Sequence, residues 1–233
     1  MGLGHSPQTI TDNLVLYLDA ANTKSYGGSG TIWSDLSGNG TDGTISGATH
    51  TSGTDGYFDF DGTDDKITAN SSDFAFGTGD YTVETWSSVD NTSGSYVIIS
   101  NNETSSSTNN TAGTWQLLYR NGSFRWIFTT TEGILDSPAS TITADTWNHI
   151  VATRSGTTAT IYLNGVSQGT ITWNENLSYS YLRIGQGRNG SLFLPGKLVL
   201  LKYIKEKHYL NQKSNKTLMH SEEDTEFNND KYH

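Results

Sequence analysis

Residues 146–173 read TWNHIVATRSGTTATIYLNGVSQGTITW, and two turn signals divide them into three strand-like runs. Asn164-Gly165 stands between ATIYL and VSQGTIT. A two-residue Asn-Gly loop accepts positive φ at both positions, as a type I′ hairpin needs. Ser155-Gly156 separates HIVATR from the same ATIYL run, so residues 147–172 predict a three-strand meander. A second pair, Asn121-Gly122, lies between WQLLYR and SFRWIF and predicts another hairpin. Upstream, LVLYLD, YFDFDG, DKITA and YTVETW are short runs that alternate in part. Asn39-Gly40 and Asp42-Gly43 mark turns within WSDLSGNGTDGTISG. The Ser/Thr/Asn-rich stretch 101–114 reads as a solvated loop. No segment before Tyr203 carries helical periodicity, and the predicted class is all-β.

Composition agrees with many short strands and turns. Apolar residues are only 33% of the 233, while Gly, Ser, Thr and Asn are abundant. Aromatic residues, at 11%, supply the bulk for a core poor in aliphatics. The chain has no cysteine, which excludes disulfides and thiolate metal sites. A formal charge of −10 argues against a nucleic-acid backbone or an anionic membrane as partner. No apolar run approaches a membrane span, and the N-terminus lacks the basic and apolar regions of a signal peptide.

Six segments, in order, carry a resemblance: NLVLYLDAANTKSY, WSDLSGNGTDGTISG, YFDFDGTDDKI, YTVETW, TWNHIVATRSGTTATIYLNG and LRIGQG. The chain resembles the LamG-like jelly-roll proteins of the concanavalin A-like lectin/glucanase superfamily. It is most like a version found among virion structural proteins of tailed phages, notably marine ones. The resemblance implies a jelly-roll sandwich of two antiparallel sheets over residues 12–202, after an N-terminal arm at 1–11. It also implies a non-enzymatic structural or host-recognition module located in a phage particle. Its partners would be other virion proteins or host-surface glycans, and a structural calcium is frequent in such folds. The alternatives are a cellular or secreted (extracellular) glycan-binding domain and, least favoured, a glycoside hydrolase.

The end of the chain breaks this pattern. All 25 glycines precede Tyr203, and 11 of the last 31 residues are charged against 27 of the first 202. Relatives of the phage type continue the last strand as Lys-Ile-Tyr, whereas here Lys202 is followed by Tyr203-Ile204. Permitted codons with one adenine restored at Lys202 can be written to give an ending that closes on NFNAFRGRYGI and a stop. Residues 203–233 are therefore expected to be an out-of-frame tail that packs poorly, with the wrong residue of the Tyr203-Ile204 pair facing the core.

YFDFDGTDD spaces Asp59, Asp61 and Asp64 as D-x-D-x-x-D, an echo of the E-x-D-x-x-E strand motif of glucanases. Both outer glutamates are missing, and Gly62-Thr63 breaks the strand before Asp64, so hydrolysis is disfavoured. Asp35, Asn39, Asp42, Asp61, Asp64 and Asp65 are hard oxygen donors in turn-rich segments. They suit calcium or, more simply, Asx-type turn capping, with Asp35, Asp61 and Asp64 the metal candidates. His149 is expected to be an ordinary strand residue. Trp33, Trp173, Tyr179 and Tyr181 lie near predicted turns and are the candidates for stacking on a sugar ring, whereas Trp86, Trp115, Trp126 and Trp147 are expected in the core.

Overall fold

The computed structural model describes residues 13–101, 112–128, 133–138, 140–187 and 190–205. The arm at 1–11, most of the loop 101–114 and the chain beyond Lys205 lie outside the described residues. Among the described residues there are sixteen strands. The first six are β1 (Leu14–Asp19), β2 (Ile32–Trp33), β3 (Gly43–Ser46), β4 (Thr49–Thr51), β5 (Tyr57–Asp61) and β6 (Lys66–Asn70). A 3-10 turn at Ser72–Phe74 leads to β7 (Tyr81–Val89), β8 (Ser95–Ser100), β9 (Trp115–Arg120), β10 (Ser123–Phe128) and β11 (Ile134–Asp136). The remainder are β12 (Asn148–Ser155), β13 (Thr158–Leu163), β14 (Val166–Thr172), β15 (Tyr181–Ile184) and β16 (Pro195–Ile204).

Both Asn-Gly turns form as the sequence predicts. Asn121 and Gly122 have φ of 47° and 75°, Asn164 and Gly165 of 50° and 80°, and they join β9 to β10 and β13 to β14. The meander β12-β13-β14 is the outer part of an eight-stranded sheet ordered β14-β13-β12-β7-β16-β5-β4, with β1 also paired to β16. The second eight-stranded sheet runs β11-β10-β9-β8-β15-β6-β3-β2. Every pairing is antiparallel. The expected two-sheet jelly-roll sandwich is the fold observed.

Alternation along each strand fills the space between the sheets. Phe58, Phe60, Tyr81, Val83, Ile150 and Ile161 come from the first sheet; Ile67, Trp115, Leu117, Phe124, Trp126 and Ile184 come from the second. Three buried hydroxyls of this interior, on Ser87, Tyr119 and Thr85, are hydrogen-bonded. The Ser87 hydroxyl meets the Tyr119 phenol at 2.8 Å across the sandwich. Thr85 donates to the carbonyl of Leu200 at 2.7 Å, beside the register shift between Leu198 and Leu200 in β16.

The last strand corrects one expectation. β16 continues to Ile204, with Tyr203 opposite Val83 of β7 and Leu16 of β1. Lys205 still donates its backbone N–H to Asn13 at 2.9 Å. Tyr203 is wholly buried. The domain therefore runs past the expected boundary at Lys202. The physical reason is parity: Lys202 points outward, so its successor must point in, and a Tyr fits the space among Phe74, Phe76, Tyr81 and Trp115.

Candidate functional site

β7 is the central strand of the first sheet, and its outward side chains are Thr82, Glu84, Trp86 and Ser88. Across it, His149 of β12 stands opposite Trp86, and Lys202 of β16 stands opposite Glu84. The indole and imidazole rings stack at 4.9 Å and 25°. His149 Nε2 lies 3.1 Å from Glu84 Oε1, and Lys202 Nζ lies 3.7 Å from Glu84 Oε2. Burial opposes ionisation of Glu84, but the His149 hydrogen bond and the Lys202 ammonium outweigh it and hold its pKa below the usual value. Lys202 also sits 5.3 Å above the Tyr17 ring, whose hydroxyl donates to Asp19.

One row along the same face, Asp59 of β5 stands opposite Lys197 of β16, which in turn stands opposite Ser88. Lys197 Nζ is 3.6 Å from both Asp90 and Asp145. Burial works against its charge, yet these carboxylates raise its pKa. Burial, and next the neighbouring Asp90, raise that of Asp59. Trp147 and Tyr57 meet edge to face at 5.9 Å. Trp86, Trp147 and Tyr57 are all half-buried, so each leaves part of a ring accessible on this face.

Beyond Asp90 and Asp145, at the end of the strands, lies a hollow of about 560 Å³. Thr92, Ser93, Asn121, Gly122, Ser140, Ile142, Thr143 and Ala144 line it. Its described lining mixes hydroxyls, one amide and backbone with the apolar side chains of Ile142 and Ala144, and none of these side chains is charged. The hollow and the aromatic face adjoin through Ala144-Asp145, where Asp145 donates its N–H to Val89.

Two of the four predicted stacking rings are not at the surface. Trp33 is wholly buried, its ring 4.7 Å from that of Phe58. Trp173 is buried at 1% exposure, packed 4.0 Å from Phe128 and 6.0 Å from Trp126. Trp33 is the last residue of β2 and Trp173 follows the end of β14, and proximity to a turn says little about burial because a large ring can fold back over the sandwich. Tyr179 and Tyr181 are half-exposed, with Tyr181 under the Arg183 guanidinium at 5.6 Å, on the outside of the second sheet. They share no site with the face just described. Trp115 and Trp126 are core residues as expected, whereas Trp86 and Trp147 face outward. The signal was available: Trp86 shares its parity with Glu84 and Thr82, and Trp147 with His149.

The acidic turns divide into two kinds. Asp35 is fully engaged: its two oxygens accept from Tyr17 N, Ser37 N, Thr41 N and the Ser37 hydroxyl at 2.6–3.1 Å. Asp42 accepts from Asp35 N, and the Asn39 amide donates to Leu14 O, so this segment is lashed to β1. Asp35 has no lone pair left for an ion. Asp61, Asp64 and Asp65 do come together, with one oxygen of each within 4.8 Å of the others. Asp61 caps the turn by accepting from Thr63 N, and Asp65 accepts from Asp61 N. Asp65 is buried beneath Gly47, where a Cβ would fall 1.8 Å from its Oδ1, so only glycine fits. Burial raises the pKa of Asp65 more than its backbone hydrogen bond lowers it. Asp59 and Asp61 share the outward side of β5, but Gly62 at φ 76° turns the chain before Asp64, and no glucanase-like carboxylate row forms.

Two antiparallel sheets in this order, with an aromatic and polar outer face, define a lectin-like jelly roll. The family model of the concanavalin A-like lectin/glucanases superfamily matches residues 61–202, more than half of the chain, and the chain belongs to that superfamily. No curated protein sequence matches it. Among solved structures it is similar to the botulinum neurotoxin serotype D ligand binding domain in complex with N-acetylneuraminic acid. That likeness has a TM-score of 0.65 at 18% identity, over 85% of this chain and 48% of that one. The binding domain of Paraclostridial Mosquitocidal Protein 1 gives 0.64 at 19%, over 85% and 50%. Trypanosoma rangeli sialidase in complex with the inhibitor DANA gives 0.60 at 13%, over 83% and 31%. The chain thus spans half or less of these proteins, and the likeness is one of fold.

Proposed function

We propose that the chain is a non-catalytic carbohydrate-recognition module of a phage particle, binding host-surface glycans on the outer face of the β7-β12-β16 sheet. The observation that carries the binding reading is the set of half-buried rings, Trp86, Trp147 and Tyr57, set among hydrogen-bonding side chains. A pyranose has an apolar face that stacks on such rings and a rim of hydroxyls that needs donors and acceptors beside them. The sequence resemblance supports the virion setting, in which tail and capsid genes are the expected neighbours. The missing carboxylate row on β5 supports binding without cleavage.

A glycan array probed with the purified chain is expected to give hits. Trp86→Ala and Trp147→Ala should each weaken those hits by about tenfold while the fold persists, the scale of one lost stacking contact. The bound oligosaccharides should be recovered uncleaved. Binding unchanged in both variants would remove this face from the account, and turnover would remove the non-catalytic part.

The calcium expectation narrows to Asp61, Asp64 and Asp65 as the only donors of that prediction brought together among the described residues. Turn capping predicts the same melting temperature in millimolar EDTA as in millimolar calcium. A midpoint that falls in EDTA and recovers with calcium would instead assign these carboxylates to an ion, which stabilises the folded state by mass action.

A further inference from the structure

We infer that the ligand of this face is a neutral oligosaccharide and that sugars bearing a carboxylate or sulfate are rejected; the inference rests on the carbohydrate reading above. Charge on this face is disposed against an anionic ligand. Asp59, Glu84, Asp90 and Asp145 face two ammonium groups, Lys197 and Lys202. Carboxylates are in excess even with His149 protonated against Glu84. Lys197 is held between Asp90 and Asp145, and Lys202 is held by Glu84. Turning Lys202 to an anionic ligand would leave the half-buried Glu84 to His149, and turning Lys197 would leave the half-buried Asp59 beside Asp90 without that cation, which is costly where water is partly excluded.

The hollow extends the same selection. A chain of sugars lying on Trp86 and Trp147 and passing Asp145 enters a described lining of hydroxyls, an amide, backbone and the apolar Ile142 and Ala144, none of it charged. Such a wall suits sugar hydroxyls and N-acetyl groups and offers nothing to balance an anion. Arg120, the cation next to Asn121 in sequence, has the opposite parity to the buried Trp115, Leu117 and Tyr119. It therefore points to the outside of the second sheet, away from the lining. Fold likeness to a domain solved with N-acetylneuraminic acid would suggest the reverse specificity, so the two can be separated by experiment.

The test is titration calorimetry of the full chain with neutral tetrasaccharides (lacto-N-neotetraose, cellotetraose and chitotetraose) and with the α2,3-sialylated form of the first. At about 10 mM salt at least one neutral sugar should bind. The sialylated sugar should bind at least about tenfold more weakly than its neutral parent, as expected for like charges brought together. Raising salt toward about 0.5 M should narrow that gap, because screening shortens the reach of the repulsion. Asp90→Asn combined with Asp145→Asn should narrow it too, by releasing Lys197. Equal or tighter binding of the sialylated sugar, lost in Trp86→Ala, overturns the charge selection and leaves the carbohydrate reading standing. Failure of every sugar to bind overturns both together.

Discussion

Tyr203→Ala should lower the free energy of unfolding by about 3–5 kcal/mol, the range for deleting a buried aromatic ring. The ring is wholly buried and has four aromatic neighbours, from 4.7 Å to Phe76 out to 6.3 Å to Tyr81. It also closes the seam where β16 runs between β7 and β1, so its loss opens a cavity under both pairings. Tyr203→Phe separates ring from hydroxyl. The phenol oxygen is buried and makes no hydrogen bond of good geometry, the Trp115 indole being a polar group beside it, and burial pushes its pKa well above the usual tyrosine value. Removing it should change stability by no more than about 1 kcal/mol. Exchanging the pair places Ile at 203 and Tyr at 204, the order that the sequence resemblance led one to expect. It should cost about 1–3 kcal/mol, because Ile underfills a space shaped for a phenol ring. Urea unfolding followed by tryptophan fluorescence reads all three, since Trp115 lies 6.1 Å from the ring at stake. A Tyr203→Ala midpoint equal to that of the parent would return the boundary of the domain to Lys202.

Tyr203 shows what could and could not be read from the sequence. Turn chemistry was legible, because Asn121-Gly122 and Asn164-Gly165 demand a backbone that few other dipeptides accept, and both hairpins formed. The strands around them followed from alternation. Burial of individual aromatics was harder. Trp33 occupies a two-residue strand, too short to show a period, and only the folded sandwich reveals that Phe58 covers it. Trp86 shares the outward parity of Glu84, which decides its place against its hydrophobicity. The charge pattern of the outer face was illegible for another reason. Glu84, His149 and Lys202 come from three strands, Asp59 and Lys197 from two and Asp90 from just past the end of β7, and only the register joins them. Asp35 was recognised as an oxygen donor, but its four hydrogen bonds are long-range or turn-specific and no spacing rule announces that they exhaust it.

Replacing Arg154 should be as damaging as replacing Tyr203, and for a reason that ring burial does not supply. The side chain points inward from β12 with 1% exposure. Its Nε and Nη2 both donate to Gly79 O, Nη2 also reaches Gly77 O, and Nη1 donates to Glu175 O, all at 2.7–3.0 Å. The guanidinium lies 5.5 Å from the Tyr81 ring and 5.2 Å from that of Trp173. It thus fastens the loop before β7 and the segment after β14 over the aromatic end of the core. Arg154→Ala withdraws a charged donor from three carbonyls and uncovers two rings, so a loss of about 3–5 kcal/mol is expected. Arg154→Met restores much of the volume without the donors and should recover only about 1 kcal/mol of that, since the carbonyls keep their desolvation cost. Arg154→Lys keeps the charge but cannot present a planar fork to three acceptors, and should fall between parent and alanine. The order parent, Lys, Met, Ala in chemical denaturation is the signature of a polar clamp. Methionine as stable as arginine would mean that packing alone holds this end of the sandwich closed.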